Sequence, residues 1–191
     1  MKLLLKISSV IDTITAFVGR AAAWLVLVAV LISAVNAVIR YTFNTSSNAW
    51  LEAQWYLFGA LFLLAAPYVL QLNGHVRVDV VYNAYSKRTR NWVNLFGHVF
   101  MLMPFTLLLI YETTPFVITS FLQQEVSENA NGLIRWPAKS FLLIGFMLLA
   151  AQGISEIIKR IGIMLDLIPD PDEEIQHASV PSPSTAQEPR T

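Results

Sequence analysis

Four stretches of about twenty residues, almost free of formal charge, constrain this chain more than any other feature. Ala21 to Ile39 is the first, closed by Arg40 and Tyr41. A second opens at Trp50 and is charge-free from Ala53 to Asn73. The third lies between Arg90 and Glu112, with His98 as its one titratable member. The fourth begins at Trp136-Pro137 and runs to Ile158, with Lys139 and Glu156 near its ends, where long side chains can reach the interface. Crossing a hydrocarbon core of about 30 Å takes roughly 20 helical residues. The chain therefore reads as an all-α integral membrane protein with four transmembrane helices, over about residues 21–39, 50–72, 92–115 and 137–158. Pro137 suits a first helical turn, and Trp136 beside it suits a membrane interface.

Composition excludes several functions. Hydrophobic residues make up 55% and charged residues 14%, whereas a soluble domain carries about 25% charged residues. The 13 basic and 13 acidic residues balance, which leaves no electrostatic footprint for nucleic acid. Cysteine is absent, so disulfides, thiolate metal sites and cysteine nucleophiles are excluded together. No metal-ligand spacing, nucleophile triad or glycine-rich phosphate loop is present, and the sequence points to neither an enzyme nor a cofactor.

Ten of the 13 basic residues fall on one side of the expected spans: Lys2, Lys6, Arg20, Arg77, Lys87, Arg88, Arg90, Lys159, Arg160 and Arg190. The other side keeps Arg40, Arg135 and Lys139. The positive-inside rule then makes both termini cytoplasmic and turns the segments 41–49 and 121–135 outward.

Residues 1–20 are expected to form a separate element. Leu3, Ile7, Val10, Ile11, Ile14, Phe17 and Val18 recur at helical spacing, with Lys6, Ser9, Asp12 and Thr13 on other faces. The pattern predicts an amphipathic helix lying in the cytoplasmic interface. A cleavable signal, with its apolar region at 21–35, is the competing reading, but the stretch before that region is long for one. The membrane domain spans 21–165. Residues 166–191 are acidic, rich in proline and poor in apolar side chains, a composition that predicts disorder.

Ionisable groups at membrane depth are functional candidates. Glu52, in the first turn of span two, is expected to pair with Arg40 across the hairpin, since a carboxylate also suits a helix N-terminus. Glu112 is expected near the outer face, close to Lys139 or Arg135. His98 reads as a satisfied histidine, because the other histidines, His75 and His177, lie outside the spans. Ala29, Ser33 and Ala37 at four-residue spacing, with Asn36 beside them, predict a helix-packing surface.

Some of these residues also carry a resemblance. Trp50-Leu51-Glu52, followed after a charge-free helix by Asn73-Gly74-His75-Val76-Arg77-Val78-Asp79, resembles the small membrane subunit of tripartite ATP-independent periplasmic (TRAP) transporters. Glu52 matches that family's acid near the start of the second span, and His75, Arg77 and Asp79 match its turn. Glu125-Val126-Ser127, Gly132 to Lys139, and Gln152 to Ile158 resemble a branch associated with 2-oxo acids, mannitol and chloroaromatic acids. The likeness covers about residues 8–165.

The resemblance implies a bacterial inner-membrane subunit that partners a large membrane subunit, which carries substrate and sodium, and a periplasmic substrate-binding protein. In that family the small subunit enlarges a static scaffold and helps dock the binding protein. Arg40, Glu52, Arg135 and Lys139 would then cluster at the outer face, and His75, Arg77 and Asp79 would fix the turn into an interfacial segment, residues 80–85, at the inner face. Two other readings stay open. A small proton-coupled exporter also has four spans and a membrane glutamate, but its acid lies deep in the first span of a shorter chain. A haem-bearing membrane anchor would use His98.

Overall fold

A computed structural model describes residues 1–45, 47–73 and 85–169. The expected turn residues His75, Arg77 and Asp79, most of the segment 80–85, and the tail beyond residue 169 lie outside the described residues. Among the described residues, five α-helices dominate: α1 (Lys2–Phe43), α2 (Asn48–Gln71), α3 (Lys87–Phe96), α4 (Met103–Leu122) and α5 (Trp136–Met164). A π-helical segment, Gly97–Leu102, joins α3 to α4, so that residues 88–122 form one continuous rod. Among the described residues, four rods are long and apolar enough to cross a membrane.

The helix ends follow from local chemistry. Asn44, Asn73, Gln124 and Asp166 adopt positive φ values of 52°, 51°, 47° and 54° at or just beyond helix C-termini. Asparagine and aspartate tolerate the left-handed region better than most residues, and one such residue stops a helix. Pro137 sits in the first turn of α5, where its missing N–H costs nothing. The π-helical segment ends just before Pro104. Proline cannot donate to the carbonyl four residues back and its ring crowds that carbonyl, which favours a widened turn at this point.

Burial is inverted relative to a water-soluble bundle. Among the described residues, the buried hydrophobic side chains are small, apart from Leu70: Ala22, Ala29, Ala60 and Ala150. Large ones such as Phe17, Trp24, Trp55, Phe62, Met101 and Tyr111 face outward. In lipid no hydrophobic force drives helices together, so close approach through small and polar residues has to hold them.

The seam of α1 illustrates this. Ser8, Thr15, Ala22, Ala29 and Asn36 recur every seven residues, and all are buried. A seven-residue repeat keeps one face of a helix against its neighbour over a long contact. Of the expected packing residues, Ala29 and Asn36 lie in this seam, whereas Ser33 and Ala37 are exposed beside it.

The expectation of a separate N-terminal element also needs correction. α1 is one unbroken helix of 42 residues, roughly 63 Å long at 1.5 Å per residue. Gly19, at the expected junction, is no break, because its missing side chain makes room for Tyr68 of α2. The first twenty residues turn Ser8, Thr15 and Gly19 inward and leave Leu3, Ile7, Val10, Ile14 and Phe17 exposed.

α5 is the hub, packing against α1, α2 and the rod formed by α3 and α4. Its Gly145 meets Leu63 of α2 so closely that an added Cβ would stand 2.8 Å from the Leu63 Cβ. The start of α1 and the end of α5 lie together at what we call the terminal end, where Ser8 meets Ser155. The opposite, loop end carries the α1–α2 turn and the segment 123–135 between α4 and α5.

Candidate functional site

Polar side chains gather at the two ends of the bundle. At the loop end, segment 123–135 folds back on itself. Ser127 N–H donates to the Leu133 carbonyl at 2.9 Å, Arg135 N–H to the Glu125 carbonyl at 2.8 Å, and Gly132 N–H to the Asn129 carbonyl at 2.9 Å. An isolated antiparallel bridge links Val126 and Ile134. Gly132 is required here, because a Cβ would run into the side chain of Ser127.

Glu52 clamps this loop onto the first turns of α2. Its carboxylate accepts from the Ser127 hydroxyl, from Asn129 Nδ2 at 2.7 Å and from the Leu133 backbone N–H at 2.7 Å. Asn48, one turn earlier, donates to the Ala130 carbonyl at 3.2 Å. The expected Glu52–Arg40 pair is therefore not formed. Glu52 is 4% exposed and points into the loop, whereas Arg40 is on the exposed side of α1, and among the described residues no carboxylate lies within ion-pair distance of it. Arg40 lines a cavity of about 520 Å³ together with Ser33, Asn36, Ala37, Tyr41 and Gln54.

Glu125 is the second anchor. It pairs with Lys139 and, at 3.3 Å, with Arg135. The Lys139 ammonium foremost, with Arg135 adding, holds the Glu125 carboxyl at about 2 against an ordinary 4.5. Lys139 also lies over the Phe116 ring, 3.8 Å from its centre, a cation–π contact. Lys139 thus turns into the bundle instead of reaching for the interface. The expected proximity of Glu112 to Lys139 or Arg135 is corrected as well: both cations serve Glu125, and Glu112 is exposed on α4 with no ion pair among the described residues.

At the terminal end a network ties α1 to α5. Asp12 Oδ1 accepts from Ser155 Oγ at 2.7 Å and from Gln152 Nε2 at 2.9 Å, and Lys159 Nζ stands 3.1 Å from Asp12 Oδ2. Ser8 and Ser155 hydroxyls share a hydrogen bond of 2.7 Å. Glu156, 4% exposed, takes Gln152 Nε2 at 3.0 Å and Lys159. It is buried in this network rather than snorkelling. Arg160 Nη1 donates to Asn91 Oδ1 of α3 at 3.1 Å, both side chains being buried. The amphipathic reading placed Asp12 off the apolar face and gave it no partner; the missed signal was Ser8 and Asp12 spaced to meet Gln152, Ser155 and Lys159. His98 is half-buried at the π-helical segment, its Nδ1 2.7 Å from the Asn94 carbonyl.

Both clusters hold elements together. Their charged groups find partners within the chain, and each cluster lies toward an end of the bundle. The middle of the rods is lined by small residues such as Ala22, Ala29, Ala60, Gly145 and Ala150. Such an arrangement builds a rigid block with a stiff loop at one end.

Comparison with known proteins agrees with that architecture. Residues 29–162 match the family model described as the DctQ component of tripartite ATP-independent periplasmic transporters. Searches of curated proteins and of solved structures return no significant match. The matched region takes in the last third of α1, both anchors of the loop end and nearly all of α5, and the chain belongs to the DctQ family, the small membrane subunits of TRAP transporters.

Proposed function

We propose that this chain is the static, non-catalytic scaffold of a TRAP transporter in a bacterial inner membrane, with both termini cytoplasmic. Its loop end then faces the periplasm. It packs against the large transport subunit and offers the segment 125–135 as a stiff platform for the substrate-binding protein. The observation that carries this reading is the double anchoring of that loop, by Glu52 through three hydrogen bonds and by Glu125 through two cations. A docking surface gains affinity when its loop is ordered before the partner arrives, because less entropy is lost on binding. The expected role of Arg135 and Lys139 as outer-face contacts becomes indirect here, since they act through Glu125. The likeness of Glu125 to Ser127, Gly132 to Lys139 and Gln152 to Ile158 to one branch favours sodium-driven uptake of an organic acid.

The exporter reading is not favoured, because Glu52 is committed to three donors and a proton-coupling acid needs a carboxylate that can exchange protons during turnover. The test is reconstitution. The large subunit and binding protein, placed in proteoliposomes with and without this chain, should take up a radiolabelled 2-oxo acid under a sodium gradient only when the chain is present. Full uptake without it, or export driven by a proton gradient by this chain alone, would sink the proposal.

A further inference from the structure

Glu112 stands apart from every other acid in the bundle. It is the one formally charged residue between Asn91 and Gln124, and it lies on an exposed face of α4. Its level can be read from its neighbours. Phe121 packs edge-on against Trp136, with ring centres 5.2 Å apart, and a tryptophan opening a span marks the interface. Glu112 lies about nine residues further along α4, roughly 13 Å deeper at 1.5 Å per residue. That distance exceeds what a glutamate side chain can span, so snorkelling offers no escape.

Around it on the same face are Phe105, Leu108, Tyr111 and Phe116, all exposed. None is ionisable at neutral pH. Lys139, on the neighbouring helix α5, is engaged by Glu125 and by the Phe116 ring. Carboxylates at this depth belong in a protein interior or against a counter-charge, because lipid solvates them poorly.

We infer that the Glu112 face of α4 is the surface that docks the large membrane subunit, and that a transmembrane helix of that subunit presents a lysine or arginine to Glu112. This rests on the scaffold reading above. The contact is an apolar helix face with one charge at its centre, so the apolar rim excludes lipid and water while the ion pair fixes register. A charge-assisted hydrogen bond of this kind gives a helix pair a preferred depth and rotation that apolar packing alone leaves loose.

The test uses the whole transporter. Tagged chain is expressed with the large subunit, extracted in mild detergent, and the large subunit retained per chain is measured. Glu112→Leu should lower retention about tenfold or more, a loss of at least about 1.4 kcal/mol. Glu112→Gln should keep part of it. The thermal stability of the isolated chain should stay unchanged in both variants, which separates docking from folding. Because the chain has no cysteine, a Glu112→Cys variant adds a second readout: a small, membrane-permeant maleimide should label its single thiol in the chain alone and not in the complex. If wild-type chain retains the large subunit but Glu112→Leu retains it equally, or the Glu112→Cys variant labels equally in the complex, the inference fails and the scaffold reading stands. If wild-type chain retains no large subunit, the scaffold reading itself fails.

Discussion

The contact between α2 and α5 at Gly145 can be tested against a control in the same molecule. Gly145→Ala would place a Cβ 2.8 Å from the Leu63 Cβ and 3.0 Å from the Leu63 carbonyl oxygen. Ordinary contact begins at 3.4 Å, so the helices must part by about 0.6 Å, and backbone atoms yield less easily than side-chain tips. Gly59→Ala, on the exposed side of α2, meets nothing within 4 Å. Each substitution gains about the same 0.8–1 kcal/mol of helix propensity, which cancels in the comparison. Overpacking of a tight contact costs about 1–3 kcal/mol, so Gly145→Ala should be less stable than Gly59→Ala by that amount. Steric-trap unfolding in mild detergent measures the difference directly. Equal stabilities, or a more stable Gly145→Ala, would show that α2 and α5 do not approach this closely and would refute the small-residue account of the fold.

Three further outcomes follow from the end clusters. Ser155→Val removes the hydroxyl that joins Ser8 to Asp12; intramembrane hydrogen bonds average about 0.6 kcal/mol and those to charged groups reach about 1.5–3 kcal/mol, so amide exchange over residues 2–18 should accelerate while α4 stays protected. Glu52→Ala should free the 125–135 loop, seen as faster exchange at Leu133 and Ser127 and as lost uptake with the subunits still associated, and Glu52→Gln, which keeps one acceptor, should fall between. The Glu125 carboxyl lies near 2 in the folded loop against an ordinary 4.5. A depressed carboxyl stabilises the folded form fully above its unfolded value and loses that contribution as pH falls through its folded value. Trp136 fluorescence should therefore be flat above pH 4.5 and change between there and about 2, and Lys139→Met should move the change upward.

The spans were legible because a bilayer imposes one length on every crossing helix, and Ala21–Ile39 or Ala53–Asn73 meet it with no charge to misread. The partners of Glu52 were not legible. Arg40 is its neighbour along the hairpin, but Ser127, Asn129 and Leu133 lie more than seventy residues away and reach it only because α5 packs beside α2. Periodicity located the apolar face of residues 1–20 and left its environment open. The helix is held by its opposite face, and only the packing of α1 on α5 brings Asp12 to Lys159. The seven-residue seam is legible in the sequence, since Ser8, Thr15, Ala22, Ala29 and Asn36 are evenly spaced, but it runs across the change from amphipathic to uniformly apolar composition near residue 20.

The length of α1 has a mechanical consequence for the surrounding lipid. A straight helix of roughly 63 Å is about twice the thickness of the hydrocarbon it must share. Exposed apolar side chains run along it from Leu3 to Val38, on both sides of Arg20. A flat bilayer surface set at that charge therefore leaves Leu3, Ile7, Val10, Ile14 and Phe17 uncovered. Tilt within the usual range of up to about 40° absorbs only part of the excess. The network between Asp12 and α5 resists bending the helix onto the surface. The remaining mismatch falls on the lipids, which must thicken or climb along Phe17, Ile14 and Val10. Vesicles of shorter-chain lipid should therefore load this subunit with more strain than thick ones.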